Sequence, residues 1–480
     1  MTDLFLVIDQ GGQSTRVAVF DSNGKIIAQE KSPCATHIID IDDHQQYIEQ
    51  NPQEILGGII NSLEKIQLQL ATQVSNIKAA GFSGQGSSLL CWNSKTGEPL
   101  SPVLSWQDTR GKVYIDNIKM THQQVQQLTG LRFSPHYGAS KIRWCLDHLE
   151  SVKLAQQNNQ LAIGPIVSFI LWHLAGRKNS VDPGHAQRTL LWNIQSANWD
   201  SQLLQLFSIP QSVLPECYLH QDNFGKMFLG NHPVEFRVCA RDQGASLFAN
   251  AMPDKNTVYI NIGTGAFIQR ISQDKVPPEG LLISPLWISQ NSDNNLYAWE
   301  ATVNGSAAAI PFIEQESGLK ITPDIIEQAL SISLGTQDYF INTQGGLGAP
   351  FWRTDIESQF SGLLSPLQQV TVWLESVLFL LAINLQKMNP DKSLTKIQLS
   401  GGFSQSDKFC QLLADLMRLP VSVNENPEAS LQGIAYLTAN RPVDWSCSSS
   451  LQCFLPAVQE GLLHKRFASW RIALEALLEK

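Results

Sequence analysis

The chain has 480 residues, 43% hydrophobic and 16% charged, enough core material for two domains and too apolar for a disordered chain. Its formal charge of -9, with no run of Lys or Arg, excludes nucleic acid as a partner. The eight cysteines show no C-x-x-C spacing and read as core thiols of a reducing, cytoplasmic compartment.

In chain order, the apolar run Leu4 to Ile8 predicts a buried strand, Gly11-Gly12 a tight turn, and Arg16 to Phe20 a returning strand. Ser22-Asn23-Gly24 turns the chain again into Ile26-Ile27-Ala28. This meander excludes the strand-then-helix unit of a dinucleotide site. The loop N–H groups of Gly11, Gly12 and Gln13, with Ser14 and Thr15, can form a nest for phosphate, while Asp9 can hold Mg²⁺ and Arg16 can reach a terminal phosphate. The plainer reading is a glycine hairpin capped by an aspartate. An apolar start beginning with Asp3 is too short for a secretory signal.

Asn51-Pro52-Gln53-Glu54 predicts a helix start, and Ile55, Ile59, Leu63 and Ile66 lie on one face. A strand from Ile77 to Phe82 opens into Ser83-Gly84-Gln85-Gly86-Ser87-Ser88, which reads as a ligand loop or as a polar turn. Trp106 to Arg110 forms a polar cluster after a strand, and His136 and Tyr137 lie in a loop before a helix. Strand Phe236 to Ala240 leads into Arg241-Asp242-Gln243-Gly244, so Asp242 is either an N-cap or a carboxylate placed to accept a hydroxyl proton.

The second half repeats the first: strand Val258 to Ile262, loop Gly263-Thr264-Gly265, then returning strand Ala266 to Arg270. Two such hairpins suggest duplicated domains with a nucleoside triphosphate held at their interface. A helix from about Leu367 to Met388 and the strand Lys396 to Ser400 precede Gly401-Gly402 and Ser406, where adenosine could approach the backbone. The apolar stretch Val370 to Leu385, interrupted by Glu375 and Asn384, is shorter than the roughly 20 residues of a membrane span and reads as a core helix.

From Leu4 to about Trp445 the pattern resembles the FGGY family of carbohydrate kinases. The resemblance rests on Asp9 to Arg16, Trp106 to Arg110, Arg241 to Ala245, Gly263 to Gly265, Gly345 to Trp352 and Ser400 to Gly402. It implies an α/β fold of two ribonuclease-H-like (actin-like ATPase) domains flanking a deep cleft. Residues 1–250 would carry the sugar and the phosphate hairpin, and 251–480 the nucleotide. ATP and Mg²⁺ would be the cofactors and a small sugar or polyol the substrate, with no membrane partner and a homodimer left open. Carried over by position, Asp242 would be the catalytic base and share the metal with Asp9. Gly11, Gly12, Gln13, Ser14, Arg16, Gly263, Thr264 and Gly265 would hold phosphates, and Gly401, Gly402 and Ser406 would border the adenosine. Gln85, Gly86, Ser87, Trp106, His136, Tyr137, Asp242 and Gln243 would meet the substrate.

Gly86-Ser87 stands where glycerol kinases have an Arg-Glu pair. Two small residues imply room for a longer acceptor, a pentulose such as xylulose first, with glycerol or a tetritol as the alternative. An actin-like ATPase or a non-catalytic sugar sensor would share the hairpins without needing that pocket.

Overall fold

The computed structural model describes residues 2–42, 45–176, 178–423, 428–445, 452–457 and 461–479. The chain forms two compact units, one of residues 1–253, 284–297 and 428–447, the other of 254–283, 298–427 and 448–480. Segments 284–297 and 428–447, expected in the second half, belong to the first unit.

The first unit is built on a six-stranded sheet in the spatial order Lys226–Leu229, His232–Arg241, Ile77–Gly84, Leu4–Gln10, Ser14–Asp21, Ile26–Pro33. Leu4–Gln10 runs antiparallel to Ser14–Asp21 and parallel to Ile77–Gly84. Its first five residues, Leu4 to Ile8, are apolar and covered by helices: Pro52–Leu70 packs on the meander, and Ala429–Thr438 on Leu4–Gln10 and Ile77–Gly84. The first helix starts as expected, with the Asn51 side chain accepting from the Gln53 and Glu54 N–H groups. Gly433 lets the second helix dock closely, since a Cβ there would lie 1.8 Å from the Ala245 carbonyl oxygen. A further five-stranded sheet, His37–Asp42, Gln45–Gln50, Val103–Leu104, Leu89–Asn93 and Leu161–Pro165, flanks the loop of residues 85–88.

The second unit repeats this plan. Thr257–Ile262 pairs antiparallel with Ala266–Ser272 and parallel with Lys396–Gly401, which is followed by Val421–Val423. In both units the parallel neighbour is reached through a long helix, here Pro366–Met388. This helix has 23 residues and passes the length and composition test for a membrane span, contrary to the shorter stretch expected from the sequence. Its burial makes it a core helix: 78% of its apolar window lies inside the protein. The two polar interruptions are absorbed, Glu375 by the Arg466 guanidinium and Asn384 by the carbonyls of Ala349 and Leu380.

Candidate active site

Asp9 sits near the end of the central strand of the first unit and is 1% exposed. Its Oδ1 accepts from the Ser83 hydroxyl at 2.5 Å, and its Oδ2 from the Ser430 hydroxyl at 2.8 Å and from Arg16 at 3.4 Å. Arg16 in turn lies 2.8 Å from Glu428. Glu428 and Ser430 are functional candidates that the sequence reading missed, because only docking of the Ala429–Thr438 helix brings them to Asp9. The adjoining loop is tied down at its carbonyls: Gly12 accepts from Gln50 at 2.8 Å and from Thr36 at 3.1 Å, and Gln13 from the Cys34 N–H at 2.9 Å. Ser14 closes the turn, its carbonyl accepting from the Gly11 N–H at 3.0 Å.

Asp242 follows the end of the strand His232–Arg241, two places across the sheet from Asp9. It is not the N-cap that the plainer reading expected. Arg241 occupies that position, and Asp242 opens the helical turn with its Oδ1 accepting from the Gln243 N–H at 2.7 Å. The Asp242 carboxyl is pushed up to about 6, chiefly by burial and further by the Asp9 charge, against the lowering pull of Arg241, the Gln243 N–H and His185. Asp9 and Asp242 are carboxylates, the hard oxygen donors that Mg²⁺ takes.

The loop of residues 85–88, expected to meet the acceptor, lies in the same unit. The Gln85 N–H donates to the Gln10 carbonyl at 2.9 Å and its side-chain amide to Gln50 at 2.7 Å. That leaves the Oε1 atoms of Gln85 and Gln10 buried without a hydrogen-bond partner, acceptors of the kind that a substrate hydroxyl would satisfy. Ser87 has a positive φ of 63°, backbone strain concentrated at this loop. The buried Lys141 clamps it by donating to the carbonyls of Ser87 and Ser105 at 2.8 Å each. Trp106, half-exposed, donates its N–H to Ser88, and its carbonyl faces His136 Nδ1 at 3.1 Å. The Tyr137 hydroxyl accepts from Arg188 at 3.4 Å, and Gln243 accepts from Arg241 at 2.8 Å.

Beside Gly86 run the stems of two arginines: a Cβ there would lie 2.7 Å from Arg241 Cδ and 3.4 Å from Arg188 Cγ. Arg241 was legible as part of a motif, but its direction was not.

In the second unit the Gly263 N–H bonds to the Gly265 carbonyl, and the carbonyls of Gly263 and Thr264 accept from Ala307 and Ala308. Neither Gly263 nor Gly402 has an atom of another residue closer than 4.0 Å to where a Cβ would stand, so both leave backbone accessible for close approach. Gly401 is glycine for another reason: its φ is +93° and a Cβ would meet the Ile262 carbonyl oxygen at 2.3 Å. Ser406 caps the helix Asp407–Met417 through the Phe409 N–H and donates to Glu327.

Residues 4–248 match the N-terminal domain of the FGGY family of carbohydrate kinases, and residues 258–440 match its C-terminal domain. The chain belongs to the FGGY family of carbohydrate kinases. It is therefore a phosphotransferase with an alcohol group as acceptor. This FGGY kinase is 30% identical to the glycerol kinase of Nitrosomonas eutropha over 498 residues, covering 99% of this chain and 98% of the other. Its fold is shared with the glycerol kinase of Plasmodium falciparum with ADP, at a TM-score of 0.86 and 22% identity over 99% of this chain and 98% of that one. The ligand-bound xylulose kinase of Lactobacillus acidophilus has the same fold, at a TM-score of 0.82 and 21% identity with the same coverage.

Proposed function

We propose that this kinase transfers the γ-phosphoryl group of ATP to a hydroxyl of a short polyol, with Asp242 as the general base. The observation that carries the reading is the pair Asp9 and Asp242, two carboxylates at the ends of strands of one sheet, one of them pushed up to about 6. Such a carboxylate is ionised at neutral pH and sits close enough to its operating range to take a hydroxyl proton. Asp9 and Asp242 would hold Mg²⁺, which when bound neutralises charge on the phosphates. Arg16 and the N–H groups of Gly12 to Ser14 would meet phosphate oxygens, the Gly11 N–H being given to the Ser14 carbonyl, and Gly263 to Gly265, Gly401, Gly402 and Ser406 would serve the nucleotide. Gln85, Trp106, His136, Tyr137 and Gln243 would orient the acceptor. The seven described cysteines are all free thiols, in keeping with a cytoplasmic enzyme.

The acceptor reading shifts from a pentulose toward glycerol. The pentulose argument relied on room at Gly86, and the Arg241 stem packs beside that residue. The names of the similar glycerol kinases point the same way. The test is kcat/KM for glycerol, tetritols, pentitols and xylulose under one set of conditions, with ATP turnover in the absence of acceptor as the control. Xylulose coming out best would return the reading to a pentulose, and ATP turnover independent of every acceptor would favour an ATPase.

A further inference from the structure

The strand Gln45–Gln50 ends on a side chain that touches two loops of the candidate site. Gln50 is 1% exposed, and its backbone is fixed on both sides, by pairing with Val103 and by the helix cap Asn51 that follows. Its Nε2 donates to the Gly12 carbonyl at 2.8 Å, and to Cys34 Sγ and Thr36 Oγ1 at 3.1 Å each. Its Oε1 accepts from Gln85 Nε2 at 2.7 Å. One amide therefore joins the Gly11-Gly12 hairpin to the loop of residues 85–88.

Which end of each amide faces which partner follows from one fixed acceptor. The Gly12 carbonyl can only accept, so the Gln50 atom against it is the nitrogen and the atom facing Gln85 is the oxygen. Gln85 must then present its own nitrogen to Gln50. Its oxygen is left over: Oε1 is buried with no hydrogen-bond partner among the described residues, and it lies 3.7 Å from where a Gly12 Cβ would stand, as does Trp106 Nε1. Reversing Gln85 alone sets oxygen against oxygen at Gln50, and reversing both amides sets oxygen against the Gly12 carbonyl, so the state of one end is felt at the other.

At the hairpin, the held carbonyl fixes more than itself. The Gly12 carbonyl and the Gln13 N–H belong to one planar trans peptide and point in opposite directions. Donors from Gln50 and Thr36 on the carbonyl thus aim the Gln13 N–H away from the strand Gln45–Gln50. The Gln13 carbonyl is held in the same way by the Cys34 N–H, but no part of that contact reaches Gln85.

We infer that Gln50 is a positioning residue that couples the acceptor loop to the phosphate hairpin, passing the orientation of the Gln85 amide to the peptide between Gly12 and Gln13. A hydroxyl donating to Gln85 Oε1 holds that amide in the orientation that also holds the hairpin, so acceptor and nucleotide favour each other's binding. A neutral amide is needed because the link accepts at one end and donates at the other. The consequence for substrate binding rests on the proposed kinase reading; the link between the loops does not.

The test has two arms on the full chain. In the first, hydrogen exchange read by mass spectrometry without ligand is expected to quicken in Gln50→Leu over both segments 10–14 and 83–88. Thr36→Val, which removes the other side-chain donor to Gly12, is expected to quicken only the first. Unchanged exchange over 83–88 in Gln50→Leu overturns the link. In the second, calorimetry measures affinity for glycerol, or for whichever polyol has the highest kcat/KM, with and without the Mg²⁺ complex of a non-hydrolysable ATP analogue. The analogue is expected to tighten acceptor binding to wild-type protein by at least ~5-fold, and to leave it near ~1-fold in Gln50→Leu. A merely structural brace would lower both affinities and keep their ratio, as Thr36→Val is expected to do. Gln85→Leu breaks the link from its other end and is expected to abolish the ratio too, with nothing further lost in the double variant; it also carries the test if Gln50→Leu does not fold. A wild-type ratio in either single variant, or none in wild type, overturns the coupling. If wild-type enzyme phosphorylates no acceptor, the kinase reading fails and the exchange arm still decides the link.

Discussion

Asp9 and Ser83 face each other across the parallel pairing of their strands, the Ser83 hydroxyl donating to Asp9 at 2.5 Å. Asn261 and Ser400 hold the same ladder position in the second unit, with Asn261 Nδ2 donating to Ser400 at 3.0 Å. Both halves keep the pair, but only the first keeps the carboxylate.

Asp242→Asn keeps the shape of the side chain and removes its ability to accept a proton at neutral pH. The expected result is a fall in kcat of at least ~10²-fold, the scale of a lost general base, with ATP affinity little changed. Steady-state kinetics beside nucleotide titration checks it, and near wild-type turnover removes Asp242 from the mechanism.

Gly401 and Gly402 are expected to fail in different ways. Gly401→Ala forces a Cβ against the Ile262 carbonyl oxygen at positive φ, which should cost about 1–3 kcal/mol of stability in strain. Gly402→Val meets little in the protein itself and should raise KM for ATP while leaving the unfolding midpoint near wild type. Urea melts and ATP kinetics on the two variants separate the effects. Equal destabilisation of both would show that Gly402 is also held by the fold.

Lys141→Met removes the ammonium that donates to two carbonyls, Ser87 and Ser105. A buried acceptor left unsatisfied costs about 1–3 kcal/mol, so chemical denaturation should show a loss of that order. Because Ser87 belongs to the acceptor loop, acceptor KM should rise more than KM for ATP. Unchanged acceptor KM would limit Lys141 to a structural role.

Acid should destabilise the first unit through His220. Burial pushes this imidazole down to about 4, although Asp182 opposes that shift; His185 and Arg241 reinforce it. Trp287 stacks on the ring and the Ile288 N–H donates to Nδ1. The unfolded chain, with a His pKa near 6.5, binds more protons than the folded one between pH 6.5 and 4, so stability is present above about 6.5 and lost as pH falls toward 4, by on the order of 3 kcal/mol in total. Urea midpoints across that range should flatten in His220→Asn. An unchanged slope would assign the acid sensitivity elsewhere.

The amino-acid sequence by itself determined the repeated strand, turn, strand units, the Asn51-Pro52 helix start, the long helix ahead of Lys396, and Asp9, Arg16 and Asp242 as charges at strand ends. These signals are local: alternation every second residue, a helix face every three to four, and turn residues at fixed positions. Tertiary structure alone brought Ser430 to Asp9 across 421 residues of chain, turned Arg241 into the space beside Gly86, closed Asp182, His185, His220 and Cys239 into one network, and separated the strained Gly401 from the open Gly402. Those arrangements depend on strand register and on which helix docks on which face. Both are set by the summed burial of distant segments, which leaves no periodic mark in the stretch of sequence where each side chain lies.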